Sequence, residues 1–152
     1  MAVTAEKLSS SLEDYLEAIY HLERRDGVAR ASDIAQRLDV RGASVTGALQ
    51  VLSRRKMVNY RPYSDITLTD EGRRQAAEVV RRHQTLHRFF VDVLDVDEEI
   101  AQRTACRMEH ALPRQILERL QAFVDFLGSS GETGGELIDE FKTGIRKDRI
   151  GG

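Results

Sequence analysis

The chain has 152 residues, of which 41% are hydrophobic and 32% charged. This composition can supply a hydrophobic core and excludes an intrinsically disordered tail. Only two residues are proline, which favours helices over a turn-rich all-β fold. The single cysteine, Cys106, excludes an internal disulfide framework and is typical of a reducing compartment. No apolar run approaches the roughly 20 residues that cross a bilayer, and the N-terminus lacks a signal sequence, so we expect a cytoplasmic protein with no membrane partner.

The net charge of −2 conceals an uneven distribution. Residues 28–63 hold seven basic side chains against two acidic ones, a balance of +5, whereas residues 83–152 have a balance of −4. Affinity for a polyanion depends on the face that a protein presents rather than on its total charge. A charge cluster is more often only a solvated helix surface, so the position of these basic residues decides between the two interpretations.

The spacing of apolar residues predicts two helices near the N-terminus. The first covers residues 9–25, where Ser10 and Glu13 have the spacing of a capping box. The second covers residues 32–38, with Ser32 as its N-cap. A four-residue turn, 39–42, separates this second helix from the next.

A third helix, predicted over residues 43–55, has two contrasting faces. Its inner stripe is apolar and consists of Val45, Ala48, Leu49 and Leu52. Its outer face presents small residues, hydroxyls, an amide and a guanidinium, namely Ala43, Ser44, Thr46, Gly47, Gln50 and Arg54. Two short β-type runs, 57–61 and 66–68, predict a hairpin directly after it.

Three further helices follow in the second half of the chain. The periodicity predicts them over residues 69–93, 97–112 and 113–127. The remaining residues, 128–152, contain seven of the eleven glycines and have weak helical character only over 136–145. We therefore expect this tail to be mobile.

Two helices of about 7 and 13 residues, joined by a tight turn and followed by a hairpin, are typical of a winged helix-turn-helix. The second helix of such a motif must be narrow and polar outside to enter a major groove roughly 12 Å wide. The same pattern also occurs in three-helix protein-interaction modules, but here the basic balance coincides with the polar face. We therefore predict DNA binding through the outer face of the third helix and the basic side chains that flank it. The candidate DNA contacts are Arg30, Arg41, Ala43, Ser44, Thr46, Gly47, Gln50, Arg54, Arg55 and Arg61.

Potential metal ligands recur at helical spacing in three predicted helices. They are Asp14 and Glu17 in the first helix, His83 and His87 in the fourth, and Cys106, Glu109 and His110 in the fifth. Taken singly, a helical Glu-His pair is usually surface, a lone cysteine usually fills a core, and an acidic pair is usually solvated. Together they supply nitrogen, sulfur and oxygen donors from three helices, which predicts a metal site.

Catalysis is an alternative role for the same residues. Cys106 and His110 could act as nucleophile and base. They share one predicted helix, however, and neither a glycine-rich oxyanion turn nor a cleft-building sheet accompanies them. We therefore predict that the protein is not an enzyme and has no small-molecule substrate.

Five segments carry a more specific pattern: LEDYLEAIYHL at residues 12–22, ARASDIAQRLDVRGASVTGALQVL at 29–52, ITLTDEG at 66–72, the Arg-His pair at 82–83, and CRMEHAL at 106–112. In these segments the sequence resembles the diphtheria toxin repressor and manganese transport regulator family of metal-dependent transcription factors. The resemblance implies a homodimer that binds palindromic double-stranded operator DNA when Fe(II) or Mn(II) is bound, and that usually represses metal uptake genes.

The resemblance also implies a mainly α fold in the compact two-domain form, without an SH3-like third domain. The expected parts are a winged helix-turn-helix DNA-binding domain at 1–72, a helical metal-binding and dimerisation domain at 73–127, and the tail at 128–152.

The ligand positions implied by the resemblance form a hybrid of two branches. The positions that match the manganese branch are Asp14, Glu17, His83, Glu109 and His110. The manganese branch usually has glutamate where this chain has Cys106, whereas the iron branch has cysteine there and methionine in place of Asp14. The position of His87 is often glutamate in the family, and this histidine could serve an ancillary site.

The donor types bear on the choice of metal. A thiolate favours Fe(II) over Mn(II), whereas several carboxylates keep the site open to Mn(II). We predict Fe(II), with Mn(II) as the close second, and Co(II), Ni(II) or Zn(II) as surrogates in vitro. The alternative is a winged-helix protein that binds DNA or a partner, in which the cluster of cysteine, histidine and acidic residues is structural or redox-sensing.

Overall fold

A computed structural model describes the backbone of residues 7–150 and the side chains of residues 7–147. The ends of the predicted DNA-binding domain and tail, residues 1–6 and 151–152, lie outside the described residues. Within the described part, the chain forms seven helices, one π-helical turn and one two-stranded sheet. In chain order these are α1 (Ser10–Asp26), α2 (Ala31–Leu38), α3 (Gly42–Arg54), β1 (Val58–Asn59), β2 (Thr67–Leu68), α4 (Asp70–Arg88), the π-helical turn (Phe89–Val93), α5 (Glu98–Met108), α6 (Arg114–Ser129) and α7 (Gly131–Ile150).

The chain divides into two compact units, Met1–Val80 and Arg81–Gly152. The division lies inside α4, later than the boundary predicted after residue 72. An uninterrupted helix crosses this region, so no linker composition marks the division in the sequence. No helix in the described part of the chain is both long and apolar enough to span a membrane.

The caps of the first two helices differ from the sequence prediction. Ser9, rather than Ser10, caps α1, because its extended backbone lets its hydroxyl oxygen accept the Leu12 N–H at 3.3 Å. In α2 the N-cap is Arg30, which makes no side-chain cap hydrogen bond, and Ser32 lies inside the helix. The serines near the two helix starts therefore predicted where each helix begins to within two residues, but they did not identify the residue that is the N-cap.

The β1–β2 hairpin, residues 58–68, is termed the wing. Its two strands pair antiparallel with Val58 opposite Leu68 and Asn59 opposite Thr67, over shorter runs than predicted. An additional bridge joins the wing to the segment before α2, because the Ala29 and Ile66 backbones exchange hydrogen bonds of 2.9 and 2.8 Å. This long-range pair fixes the base of the wing against the helix-turn-helix.

One core unites the helices and the wing of the first unit. It contains fully buried side chains from α1, α2, α3 and the residue before β2: Leu16, Ile19, Ile34, Val45, Leu49, Leu52 and Ile66. These are the inward positions of the apolar stripes that the periodicity predicts. The opposite face of α3 is thereby left at the surface.

Glu23 of α1 links three elements at the edge of this core. One of its carboxylate oxygens accepts the Leu68 N–H at 2.8 Å, and the other pairs with the Arg73 guanidinium of α4. This hydrogen-bonded carboxylate raises the pKa of Arg73. The start of α4 is therefore held against both the wing and α1.

The helices of the second unit end differently from the prediction. The predicted fifth helix, 97–112, stops at Met108, and in the turn that follows the N–H groups of Ala111 and Leu112 both donate to the Met108 carbonyl. Pro113 follows with an extended backbone and is the N-cap of α6 rather than its first residue. The predicted fourth helix ends at Arg88 and continues as the π-helical turn.

The tail is more regular than its glycine content suggests. Helix α7 covers Gly131–Ile150, whereas the sequence indicated weak helical character over 136–145 only. The Arg146 guanidinium contacts both Asp95 carboxylate oxygens, at 2.8 and 2.9 Å, and this contact raises the pKa of Arg146. The mobility of this helix in solution stays a prediction.

Candidate functional site

The outer face of α3 lies at the surface along its whole length. The exposed residues on this face are Ala43, Ser44, Thr46, Gly47, Gln50 and Arg54. Arg41 at the N-cap is exposed as well, and Arg55 at the C-cap is half-buried. The Thr46 hydroxyl donates to the Gly42 carbonyl at 3.2 Å, so in this arrangement its oxygen remains available as an acceptor.

Gly47 is not required by the packing of α3. A β-carbon built at this position would meet no heavy atom within 4 Å, and its backbone lies in the ordinary helical region. Because glycine lowers the stability of a helix interior relative to alanine, its presence here favours the close approach of an external surface.

A groove runs between α3 and the wing. It is lined by Arg30, Ala31, Ser32, Thr46, Gln50, Tyr60, Pro62, Tyr63, Ser64 and Asp65. Three of the predicted DNA contacts, Arg30, Thr46 and Gln50, thus face the same space, and the exposed Arg61 belongs to the turn of the wing. Arg30 Nε lies 3.6 Å from Asp65 Oδ1 across this groove. The wing side of the groove was missed by the sequence reasoning, because a hairpin pattern does not indicate which side chains turn towards a neighbouring helix.

In the second unit, three predicted ligands form a compact cluster. His83 Nδ1 lies 2.7 Å from Glu109 Oε2 and 3.7 Å from Cys106 Sγ. One ligand atom from each of the three residues lies within 4.8 Å of the other two. Glu109 is fully buried, His83 is half-buried and Cys106 is exposed, so the cluster opens to the surface on its sulfur side.

The end of α5 determines how the last two ligands are presented. Glu109 is the C-cap and keeps helical backbone angles, so it stays on the same face as Cys106, one turn before it. His110 lies in the turn beyond the helix, and the prediction that all three share one helix face was therefore wrong for His110. Its Nε2 atom is nevertheless 3.4 Å from Glu109 Oε1.

Two polar side chains support the cluster. The buried Arg82 donates from Nη1 to the Glu109 carbonyl at 3.0 Å, which ties the end of α5 to α4. Gln102 Oε1 lies 3.1 Å from His83 Nε2 and orients the imidazole. The sequence reasoning noted Arg82 only as part of the Arg-His pair that resembles the family, and it missed the contact of this side chain with the Glu109 carbonyl.

Three further predicted ligands are not among the three residues of the cluster. His87 Nε2 is 2.9 Å from Glu98 Oε1, and its ring is stacked at 6.2 Å from that of His83. Asp14 and Glu17 lie on α1 in the first unit, where both are half-buried and Glu17 Oε1 is 3.6 Å from His21 Nε2.

The donor set fits a divalent transition metal. Imidazole nitrogen, thiolate sulfur and carboxylate oxygen are the donor types that such ions accept, and here they converge from two helices. Burial of a carboxylate is unfavourable unless it is paired or coordinated, and Glu109 is buried beside two histidines. The arrangement can therefore hold a metal ion.

The sequence matches two domain families along most of its length. Residues 7–66 match the iron-dependent repressor N-terminal DNA-binding domain, and residues 69–134 match the iron-dependent repressor metal-binding and dimerisation domain. The second match contains the whole His83–Cys106–Glu109 cluster, and the first contains α3 and most of the wing. Helix α7 lies almost entirely beyond both.

Individual relatives agree with these matches. The chain is 39% identical over 119 residues to an uncharacterised HTH-type transcriptional regulator of Methanocaldococcus jannaschii, and the match covers 78% of this chain and 95% of that protein. It is 35% identical over 116 residues to the HTH-type transcriptional regulator MntR of Bacillus subtilis, covering 76% and 81% respectively. It is also similar to a solved manganese-dependent transcriptional repressor in complex with manganese, with 28% identity and a TM-score of 0.70 over 76% of this chain. The chain spans 53% of the length of that solved repressor.

Proposed function

The chain belongs to the iron-dependent repressor family, and we propose that it is a metal-activated transcriptional repressor. In this proposal it binds palindromic operator DNA as a homodimer and controls iron or manganese homeostasis. The convergence of His83, Cys106 and Glu109 within the residues that match the metal-binding domain is the observation that carries this proposal. The function is regulatory rather than enzymatic.

The outer face of α3 is the proposed DNA-reading surface. Gln50 is suited to pair with a base edge in the major groove, and Thr46 can accept a hydrogen bond from a base amino group. Arg54 and Arg55 at the end of the helix, with Arg41 at its start, are suited to phosphates. Two copies of α3 about one helical turn of DNA apart would read the two halves of a palindrome.

His83, Cys106 and Glu109 would hold the metal ion, and His110 would join them through its position beside the Glu109 carboxylate. Asp14 and Glu17 are proposed as the ligands that the first unit contributes. When bound, the ion supplies a positive charge that neutralises the converging carboxylates and thiolate. Metal binding would favour the state of the protein that binds DNA, to the extent that the ion has a higher affinity for that state than for the others.

Fe(II) is the proposed physiological metal, with Mn(II) next. The Cys106 thiolate supports the softer ion of the two, while the carboxylates support Mn(II). Co(II), Ni(II) and Zn(II) are expected to act as surrogates in vitro, because they accept the same donor types and lie above Mn(II) and Fe(II) in the general affinity order.

The proposal is tested by DNA binding with and without metal. A duplex is first selected from a randomised pool by the protein in the presence of Fe(II) under anaerobic conditions, or of Mn(II). We expect the affinity of the protein for this duplex to fall at least about tenfold, which is 1.4 kcal/mol, when a chelator removes the metal. Titration of each ion separately compares the two metals directly.

Glu109→Gln keeps the shape of the side chain but removes its charge, and should abolish the metal response. Glu136→Gln is the matched control, because Glu136 is exposed on α7 and lies outside the cluster. Apoprotein that binds the duplex as tightly as the metal-loaded protein would refute the proposal and leave the cluster with a structural or redox-sensing role.

A further inference from the structure

Tyr63 stands out at the tip of the wing. Its relative exposure is 108%, so the whole ring projects from the surface. Its backbone has a positive φ of 61°, in the left-handed region. Large side chains rarely adopt this conformation, because the β-carbon crowds the backbone.

The turn that contains Tyr63 explains why its conformation is unfavourable. The Ser64 N–H donates to the Arg61 carbonyl at 3.2 Å, with Pro62 at the second position and the positive φ at the third. This is the pattern of a type II turn, in which glycine is the preferred third residue. An aromatic side chain therefore opposes the local backbone preference at this position.

Nothing within the described chain compensates for this cost. Over residues 7–147 the Tyr63 side chain makes no hydrogen bond and no ring contact, and its full exposure shows that it buries no apolar surface. Strained residues of this kind persist where they serve a function that the isolated fold does not reveal. The ring is therefore placed for an external partner.

The surroundings of Tyr63 identify DNA as that partner. The residue lines the same groove as Gln50 and Thr46 of α3, so a duplex that receives α3 in its major groove brings its sugar-phosphate edge towards the wing. The exposed Arg61, two residues before Tyr63, supplies positive charge beside it, whereas Arg30 is paired with Asp65 across the groove. A phenol suits this edge, because its ring packs on deoxyribose and its hydroxyl donates to the acceptors of the phosphates and the minor groove.

Building on the proposed repressor function, we propose that Tyr63 is a DNA-contact residue of the wing, whose ring packs on the sugars at the minor-groove edge beside each half-site. The contact adds affinity with little base specificity, because sugars and phosphates are common to every sequence. Its hydroxyl donates one hydrogen bond to an acceptor on the same edge.

The test uses the full chain loaded with Mn(II) and the duplex that the wild-type protein selects. Tyr63→Gly removes the ring and relieves the positive φ, so it should leave the melting temperature equal or higher while it lowers DNA affinity about tenfold. Tyr63→Ala should lower DNA affinity as much as Tyr63→Gly does. Because alanine lacks the extra backbone freedom of glycine, an equal loss shows that the missing ring is the cause. Tyr63→Phe should give a smaller loss, since it removes only the hydroxyl. Hydroxyl-radical footprints of the wild-type complex should show protection at the outer minor-groove edge of each half-site, and this protection should disappear in Tyr63→Gly.

If Tyr63→Gly and Tyr63→Ala bind the duplex like the wild type with unchanged footprints, the inference is wrong, and the ring serves a protein partner or none. That result leaves the proposed function intact, because wild-type binding would still depend on metal. Failure of the wild type itself to select or bind any duplex would instead overturn both proposals.

Discussion

Gly47 and Gly72 lie in the same unit but differ in what a β-carbon would meet. At Gly72, in the first turn of α4, it would lie 1.8 Å from the Met57 carbonyl oxygen, so the side chain must be absent for α4 to approach the wing. At Gly47 it would meet nothing within 4 Å. The first glycine is explained by internal packing, whereas nothing in the packing of the described residues requires the second.

Gly47→Ala should therefore have opposite effects on the stability of the fold and on the affinity for DNA. We expect the free energy of unfolding to rise by about 0.5–1 kcal/mol, because alanine is the better helix former. DNA affinity should fall by about 1–3 kcal/mol, the order of one lost base contact, because the methyl group holds α3 away from the groove floor. Chemical denaturation and binding to the selected duplex measure the two effects.

Gly135→Ala is the control for this substitution. Gly135 also lies in a helix with open space around a β-carbon, but in α7 rather than α3. Gly135→Ala should leave the free energy of unfolding unchanged or raise it, and it should not change DNA affinity. Equal DNA affinity in Gly47→Ala and the wild type would show that the close approach of DNA does not require glycine at position 47.

At the scale of secondary-structure elements, α6 and α7 form a close helical pair in the second unit. Gly134 is buried, and a β-carbon there would lie 2.1 Å from the Leu127 carbonyl oxygen. Gly131 ends the connection between the helices with a positive φ of 60°. Glycines that make the tail look flexible in the sequence are thus the residues that permit a tight turn and a close helix contact.

Adjacent glycines of α7 give a matched test of this contact. Gly134→Ala should lower the free energy of unfolding by about 1–3 kcal/mol, because the new methyl group overlaps the carbonyl of α6 and forces the helices apart. Gly135→Ala, one residue further on, should be neutral or stabilising. Thermal unfolding and limited proteolysis of the C-terminus report the difference. If both variants behave alike, α7 does not pack on α6 in solution.

At the scale of the whole molecule, the second unit carries large hydrophobic side chains at its surface. The large exposed side chains of α5, α6 and α7 are Ile100, Met108, Ile116, Phe123, Phe126, Leu137 and Phe141. Most lie within the residues that match a dimerisation domain, which supports the homodimer.

The proposed ligand from the first unit predicts how metal and DNA binding are coupled. Asp14→Ala should leave the His83–Cys106–Glu109 ligands able to bind metal but should weaken binding of the selected duplex by about 1–3 kcal/mol, because the ion loses a proposed ligand of the state that binds DNA. Metal binding by calorimetry, DNA affinity and sedimentation are measured together, and the dimer is expected to persist. Full metal-dependent DNA binding by Asp14→Ala would exclude this coupling.

The sequence by itself determined the helices of the DNA-binding unit, the outer face of α3 and the donor types of the proposed metal site. Each depends on local periodicity or spacing, which positions residues three and four apart on one face whatever the rest of the chain does. The mainly α fold and the winged helix-turn-helix follow from such patterns and are confirmed, whereas the repressor family was inferred from the resemblance of five sequence segments and is confirmed by the domain matches.

The tertiary structure decided what depends on distant parts of the chain. The bridge between Ala29 and Ile66, the bond from Arg82 to the Glu109 carbonyl and the packing of Gly134 on α6 each join residues that no local pattern relates. The same holds for the end of α5, where the tight turn before Pro113 moved His110 off the helix that its spacing predicted. Periodicity gives the direction of a side chain relative to its own helix. Only packing between elements brings the polar atoms of that side chain within hydrogen-bond distance of a residue on another element.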